Sequence, residues 1–164
     1  MSSRISKFLA MSVLLASSSA AIADVFVEIS GIPGDSVTTG YEGAIDAAGV
    51  SGNFAARSCG DILMLKSIDS ASPLLIEAAV SQKPVAEATI SYVVPGEETF
   101  TPLVIVLSNL TIASVSTKLV GDAGPTMEEV VLHAAGIDFV YSPQNDDGSA
   151  GSEISTMLDC GKSK

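Results

Sequence analysis

Residues 85–107 read VAEATISYVVPGEETFTPLVIVL. In the first ten, Ala88, Ile90, Tyr92 and Val94 fall on one side of an extended chain, and Glu87, Thr89, Ser91 and Val93 on the other. A period of two is the mark of a strand with two different faces. Pro95-Gly96 then turns the chain, because proline presets a turn dihedral and glycine supplies the positive φ that other residues resist. Residues 99–107 return, so 85–107 is expected to form a β-hairpin.

The same pattern extends to both sides. Residues 24–30 place Val25, Val27 and Ile29 opposite Phe26, Glu28 and Ser30, and the run Gly31-Ile32-Pro33-Gly34-Asp35 ends that strand. Two weaker strands are expected over 43–47 and 50–59. The one convincing helix opens at Asp69-Ser70-Ala71-Ser72-Pro73, with Ser72 as N-cap and Pro73 at the first helical position. Leu74-Leu75-Ile76-Glu77-Ala78-Ala79-Val80 is apolar nearly all round, which implies burial against a sheet. Pro84 ends it, and Lys83 sits where a positive charge suits a helix C-terminus. After the hairpin, residues 110–119, 128–141 and 152–160 read as further strands, with Gly136 suggesting a bulge. Residues 121–125 and 145–151 read as loop and turn. Many short strands and a single helix indicate a mainly-β barrel or sandwich with one packed α-helix.

The chain of 164 residues has a formal net charge of −11 and one histidine, with two cysteines and no tryptophan. So acidic a chain is a poor ligand for phosphate backbones, so no nucleic-acid partner is expected. One histidine and two cysteines also leave too few ligands for a usual zinc site. The first 23 residues do not read as part of the fold. Arg4 and Lys7 precede an apolar run over 8–16, and small residues end in Ala21-Ile22-Ala23. That is the order of a secretory signal peptide cut before Asp24, with residues 24–164 as the mature domain. A buried N-terminal helix or an uncleaved anchor is the alternative. No later stretch approaches a membrane span.

Export would carry Cys59 and Cys160 into an oxidising compartment, where an even pair usually becomes a disulfide; two free thiols are the alternative. They are too far apart in sequence for a C-x-x-C redox site. Other candidates for chemistry are few. His133 would suit a general base, but no nucleophile motif accompanies it, and a surface strand histidine is the simpler reading. Asp146-Asp147-Gly148 lacks the alternating acidic ligands of a calcium loop and reads as a solvated turn. Asn109-Leu110-Thr111 is a glycosylation triplet only formally, since it lies in a strand-like run. No catalytic, cofactor-binding or metal-binding residue emerges.

Several segments resemble the Hcp family, the tube protein of the bacterial type VI secretion system. Residues 24–36 (DVFVEISGIPGDS) are similar to the family's opening strand and "DGIKGES"-type turn, and Gly43-Ala44-Ile45-Asp46 to its second strand. Residues 68–75 (IDSASPLL) resemble its "DKATPKLL" helix start. Glu87-Ala88-Thr89-Ile90 and Ser114-Val115-Ser116-Thr117 match later strands, and residues 140–151 (VYSPQNDDGSAG) stand close to "YTPQDADGSAGG". The resemblance implies two β-sheets forming a barrel beside one helix, and a ring of identical subunits, six in the family, able to stack into a tube. It implies no chemistry. Its partners would be other copies of itself and the spike or effector proteins of the secretion machine.

Two departures stand out. The family carries no cleaved leader, and its tryptophan-bearing third and last strands are replaced here by 50–59 and 153–160. Those two strands are neighbours in the family, and each has acquired a cysteine here. The resemblance therefore implies a cross-strand disulfide in place of large aromatic contacts.

Three functions compete: a ring or tube component of type VI secretion; an exported module of the same fold, binding or assembling independently of that machine; and an exported enzyme with an unrecognised site. The predicted leader carries two basic residues and no acidic one, so the mature subunit is two charges more negative than −11. Copies repel until salt screens them. Assembly is therefore expected to strengthen with ionic strength, which light scattering would follow. A mass unchanged from low to high salt would contradict this.

Overall fold

A computed structural model describes residues 23–55, 58–96, 99–119 and 126–161. The leader features at Arg4, Lys7 and Ala21, and the loop expected over 121–125, lie outside the described residues. Seven strands and one helix follow in order: β1 (Asp24–Ile29), β2 (Ile45–Ala55), β3 (Ser58–Ser67), α1 (Ala71–Ser81), β4 (Val85–Val94), β5 (Phe100–Lys118), β6 (Met127–Tyr141) and β7 (Ile154–Asp159). The strands neighbour one another as β3-β2-β1-β4-β5-β6-β7, and a further β3–β6 pairing closes six of them into a barrel, with β7 added outside the circuit on β6. All pairings are antiparallel. The mainly-β barrel with one helix is thus the observed architecture.

The two-residue period builds the core. Val27 lies across from Ile45 on one side and from Ile90 on the other; Ile90 lies across from Ile105, and Ile105 from Phe139. This row points inward, as does the row Ile62, Leu132, Ile112 at the far side of the barrel. The expected hairpin is present: β4 and β5 pair from Val85↔Leu110 to Val94↔Phe100. Closure pairs every barrel strand with two neighbours, which limits the edge available for edge-to-edge association.

Several boundaries differ from expectation. The weak strands over 43–47 and 50–59 are one strand, β2, with register shifts between Ala47/Gly49 and Gly52/Phe54. Ser58 and Cys59 belong to β3, which the sequence reading missed. In β3 the inward positions are Ile62, Met64 and Lys66, so a charged residue interrupts the apolar alternation. Residues 99–107 and 110–119 are likewise one strand, β5, which runs through Asn109 at φ 49°. The register between β5 and β6 does not slip at Gly136, as a bulge there would require. Instead the buried positions are three apart on both strands, Leu107 to Leu110 and Ala134 to Ile137, so the two turn over together. A side chain at Gly136 would displace the hydroxyl of Ser108 opposite.

The helix begins at Ala71, earlier than expected, with Ser70 as N-cap. The Asp69 carboxylate accepts from the Ala71 amide at 2.9 Å, which fixes the first turn. Pro73 falls at the third helical position, where its missing N–H is still one that no helical carbonyl would have accepted. Gln82, at φ 49°, terminates the helix, so Lys83 lies beyond its last turn. Burial is confined to a stripe of Ala71, Ser72, Leu75 and Ala78, and Ile76 and Val80 face solvent. The helix rests chiefly on β5. Residues 31–44 fold over the outside of β1 and β4, where Tyr41 stacks on Phe26 at 4.3 Å and bonds Thr101 through its hydroxyl at 2.9 Å.

Candidate functional site

Lys66, Glu128 and Thr117 lie side by side on β3, β6 and β5, with Lys66 and Glu128 facing inward next to the helix start and Thr117 exposed beside them. Lys66 is fully buried and Glu128 is 1% exposed. The Lys66 ammonium reaches the Asp69 carboxylate at 2.7 Å and Glu128 Oε2 at 3.0 Å, and donates to the Ser67 carbonyl at 2.7 Å and the Ser72 hydroxyl at 3.0 Å. Ser72 donates to Glu128 Oε2, and Thr117 donates to Glu128 Oε1 at 2.9 Å. Ser72, expected as an N-cap, therefore joins the helix to the β3–β6 seam. Burial alone would push the Glu128 carboxyl up; the hydrogen bonds from Ser72, Lys66 and Thr117, with the Lys66 charge, outweigh it and hold the group below its ordinary value. Among the described residues no buried side-chain nitrogen or oxygen lacks a partner, so this cluster is a satisfied clamp on the barrel closure.

The second constellation is the cysteine pair. Cys59 and Cys160 form a disulfide, with Cα atoms 5.4 Å apart and a sequence separation of 101. Their strands are not side-by-side partners, as the resemblance implied. β5 covers one edge of β6 along its length; on the other edge β3 occupies 127–132 and β7 occupies 136–141. β3 and β7 thus meet end to end on β6, and the disulfide spans their junction. The Cys160 and Gly161 amides both donate to the Ala135 carbonyl, at 2.8 and 3.1 Å.

The other candidates are surface features. His133 Nδ1 lies 2.8 Å from the Asp61 carboxylate, with both side chains more than half exposed. Asp147 accepts from the Ser149 amide at 3.0 Å and from its hydroxyl, and those bonds hold its carboxyl below the ordinary range. Asn145 donates to the Ser149 hydroxyl at 3.0 Å, so residues 145–149 form the expected turn. Asn109 is exposed on β5. Among the described residues, no group of three or more His, Cys, Asp or Glu side chains could hold a metal ion, and no helix is long and apolar enough to cross a membrane. Two grooves of about 240 and 260 Å³ lie over β1–β4 and over β5–β6–β7, below the usual range of ligand pockets.

The surface that remains is apolar in places. On β7, Ile154 is 67% and Met157 78% exposed; Tyr92 and Tyr141 are also exposed, in the same cross-strand row as Ile154. These positions alternate correctly for strands but are left exposed among the described residues, and sequence reasoning singled out none of them. Periodicity shows which residues share a face and not which face is left open.

A family model described as the type VI secretion system effector Hcp matches residues 26–141. Hcp1 from Salmonella typhimurium superposes with a TM-score of 0.78 at 24% identity, over 87% of this chain and 97% of that one. A type VI secretion system effector from Yersinia pestis gives 0.72 at 23% identity, over 83% and 99%. The secreted protein Hcp3 from Pseudomonas aeruginosa gives 0.66 at 18%, over 84% and 98%. At these identities the structural likenesses establish a shared fold. No curated protein sequence matches. The family match spans well over half of the chain, which therefore belongs to the Hcp family of the type VI secretion system.

Proposed function

We propose that this chain is a structural subunit that assembles with copies of itself into a ring, six-membered as in the family it belongs to, and acts as a tube component or secreted protein of a type VI secretion system. The observation that carries this reading is the family match over residues 26–141. The exposed apolar side chains of β7 and of the neighbouring strand ends are the kind of surface that a repeated contact covers. A ring of identical subunits uses two different patches, one at each side, and closes by rotation. Its partners are then other copies of the chain, with spike or effector proteins of the same machine, and its role is mechanical rather than catalytic.

A second reading is favoured by the leader and the cysteines. A signal peptide cut between Ala23 and Asp24, after the Ala21-Ile22-Ala23 segment, would deliver the domain to the periplasm or beyond by the general pathway, and β1 begins at Asp24. A disulfide suits that compartment. The same fold would then serve as an exported assembly or binding module independent of the secretion sheath.

One experiment separates the two. The protein is followed in cells with and without a functional contractile sheath, and its N-terminus is read by mass spectrometry. Release that stops without the sheath supports the first reading. A mature N-terminus at Asp24 with release unchanged supports the second, and an intact Met1 inside the cell rejects export by the leader.

A further inference from the structure

β7 is held differently from every other strand. It lies outside the closed circuit, and among the described strands it pairs only with β6. Its residues are mostly exposed; Leu158, with Cys160 just beyond it, packs on the core. At its C-terminal end it is tied covalently, through Cys160, to Cys59, the second residue of β3. The same bond fixes the β2–β3 hairpin, because Cys59 lies opposite Phe54 in that hairpin. Phe54 in turn meets Phe139 of β6 edge to face, with ring centroids 5.2 Å apart. One disulfide therefore pins two elements that flank the same half of β6. The barrel closure lies in the other half, where β3 pairs with 127–132 next to the Lys66–Glu128 clamp. The disulfide thus sits at the N-terminal end of β3, outside the 62–67 stretch whose pairing with β6 closes the barrel.

We propose that Cys59–Cys160 is a redox latch on β7: broken, it lets β7 leave β6 while the six-stranded barrel stays closed, and the uncovered edge of β6 over 136–141 then accepts β7 from a second copy of the chain. The chemistry needs a dithiol reductant. One of its thiolates attacks a cysteine sulfur and breaks the Sγ–Sγ bond, leaving a mixed disulfide and one cysteine thiolate. Its second thiol displaces the other cysteine and closes the reductant's own disulfide. Two electrons pass to the protein, and the two cysteines take up two protons. A disulfide oxidant reverses the sequence. The second copy is the favoured occupant because its β7 has the register and side chains that the vacated edge already fits, and exchange of identical elements is a low-cost route to dimers. An unpaired strand edge is also the surface that most readily recruits another strand. This inference does not rest on the ring reading, since it concerns what one subunit exposes.

The test uses residues 24–164, folded and oxidised, then reduced under native conditions with dithiothreitol. Hydrogen exchange is read segment by segment. Reduction is expected to speed exchange in β7 and in 136–141 of β6 by about ten-fold or more beyond the general loss of protection that β1, β4 and the β3–β6 ladder share as global stability falls. Protection lost equally in all strands, or in none, overturns the proposal. Reoxidation at high protein concentration is expected to yield a covalent dimer on a non-reducing gel, linked Cys59 to Cys160 between copies. Monomer alone at every concentration overturns the exchange step. The Cys59→Ala/Cys160→Ala variant should show the reduced exchange pattern without any reductant; an oxidised pattern in that variant also overturns the proposal.

Discussion

Replacing Lys66 with methionine is expected to destabilise the domain by about 3–5 kcal/mol, because the substitution leaves the buried Glu128 carboxylate without its cation. Urea denaturation monitored by circular dichroism would measure the loss. Removing both charges, as Lys66→Met with Glu128→Leu, should recover much of it, since a buried pair attracts strongly but also costs much to desolvate. A double variant as unstable as the single one would mean that the ion pair itself, and not the orphaned charge, supplies the stability. The pH dependence has a definite sign. The folded-state pKa of Glu128 is lowered, so the unfolded chain binds the proton more readily. This contribution is complete above the ordinary glutamate value and is lost as pH falls through the lowered one. Stability measured from pH 6 downward should therefore decline in the acid range, and the double variant should decline less.

The second large effect concerns the disulfide. Its loop of about a hundred residues removes much freedom from the unfolded chain, and chain entropy sets an upper figure of ~4.7 kcal/mol. For a domain of this size that corresponds to a fall in Tm of roughly 10–20 °C on reduction or on replacing both cysteines with serine. Differential scanning calorimetry with and without reductant measures it. A shift of only a degree or two would show that the unfolded chain is not constrained by this bond in the expected way.

The strands that alternate cleanly were legible. β1, β4 and the hairpin to β5 follow from Val27, Ile90 and Ile105 repeating at every second position between turn residues. The helix was legible from its apolar run, but not its start, because Ser72 turns inward to Lys66 and Glu128 instead of capping. β3 was hidden by Lys66. An inward charge breaks the pattern that marks a strand, and the position is stabilised by Asp69 nearby and by Glu128, 62 residues away on β6. β5 looked like two strands because Ser108 and Asn109 resemble a break, whereas both β5 and β6 reverse their faces there in step. The cysteines were legible as a pair through the compartment argument. Their geometry was not, because two strands meeting end to end on a third leave no trace in local sequence. The candidate self-contact surface was equally silent: Met157 on β7 looks like any outward strand residue until the fold leaves it exposed among the described residues. The missing tryptophans did point to the right places, since both cysteines lie in the segments that replace the family's aromatic strands.

Function here reduces to whether this surface meets copies of itself. Native mass spectrometry of the oxidised domain, residues 24–164, at moderate ionic strength reads this directly. A closed ring predicts one dominant species at six times the subunit mass, with no open-ended series above it other than stacked multiples of the ring. A single subunit mass persisting across all concentrations and salt conditions would contradict the account.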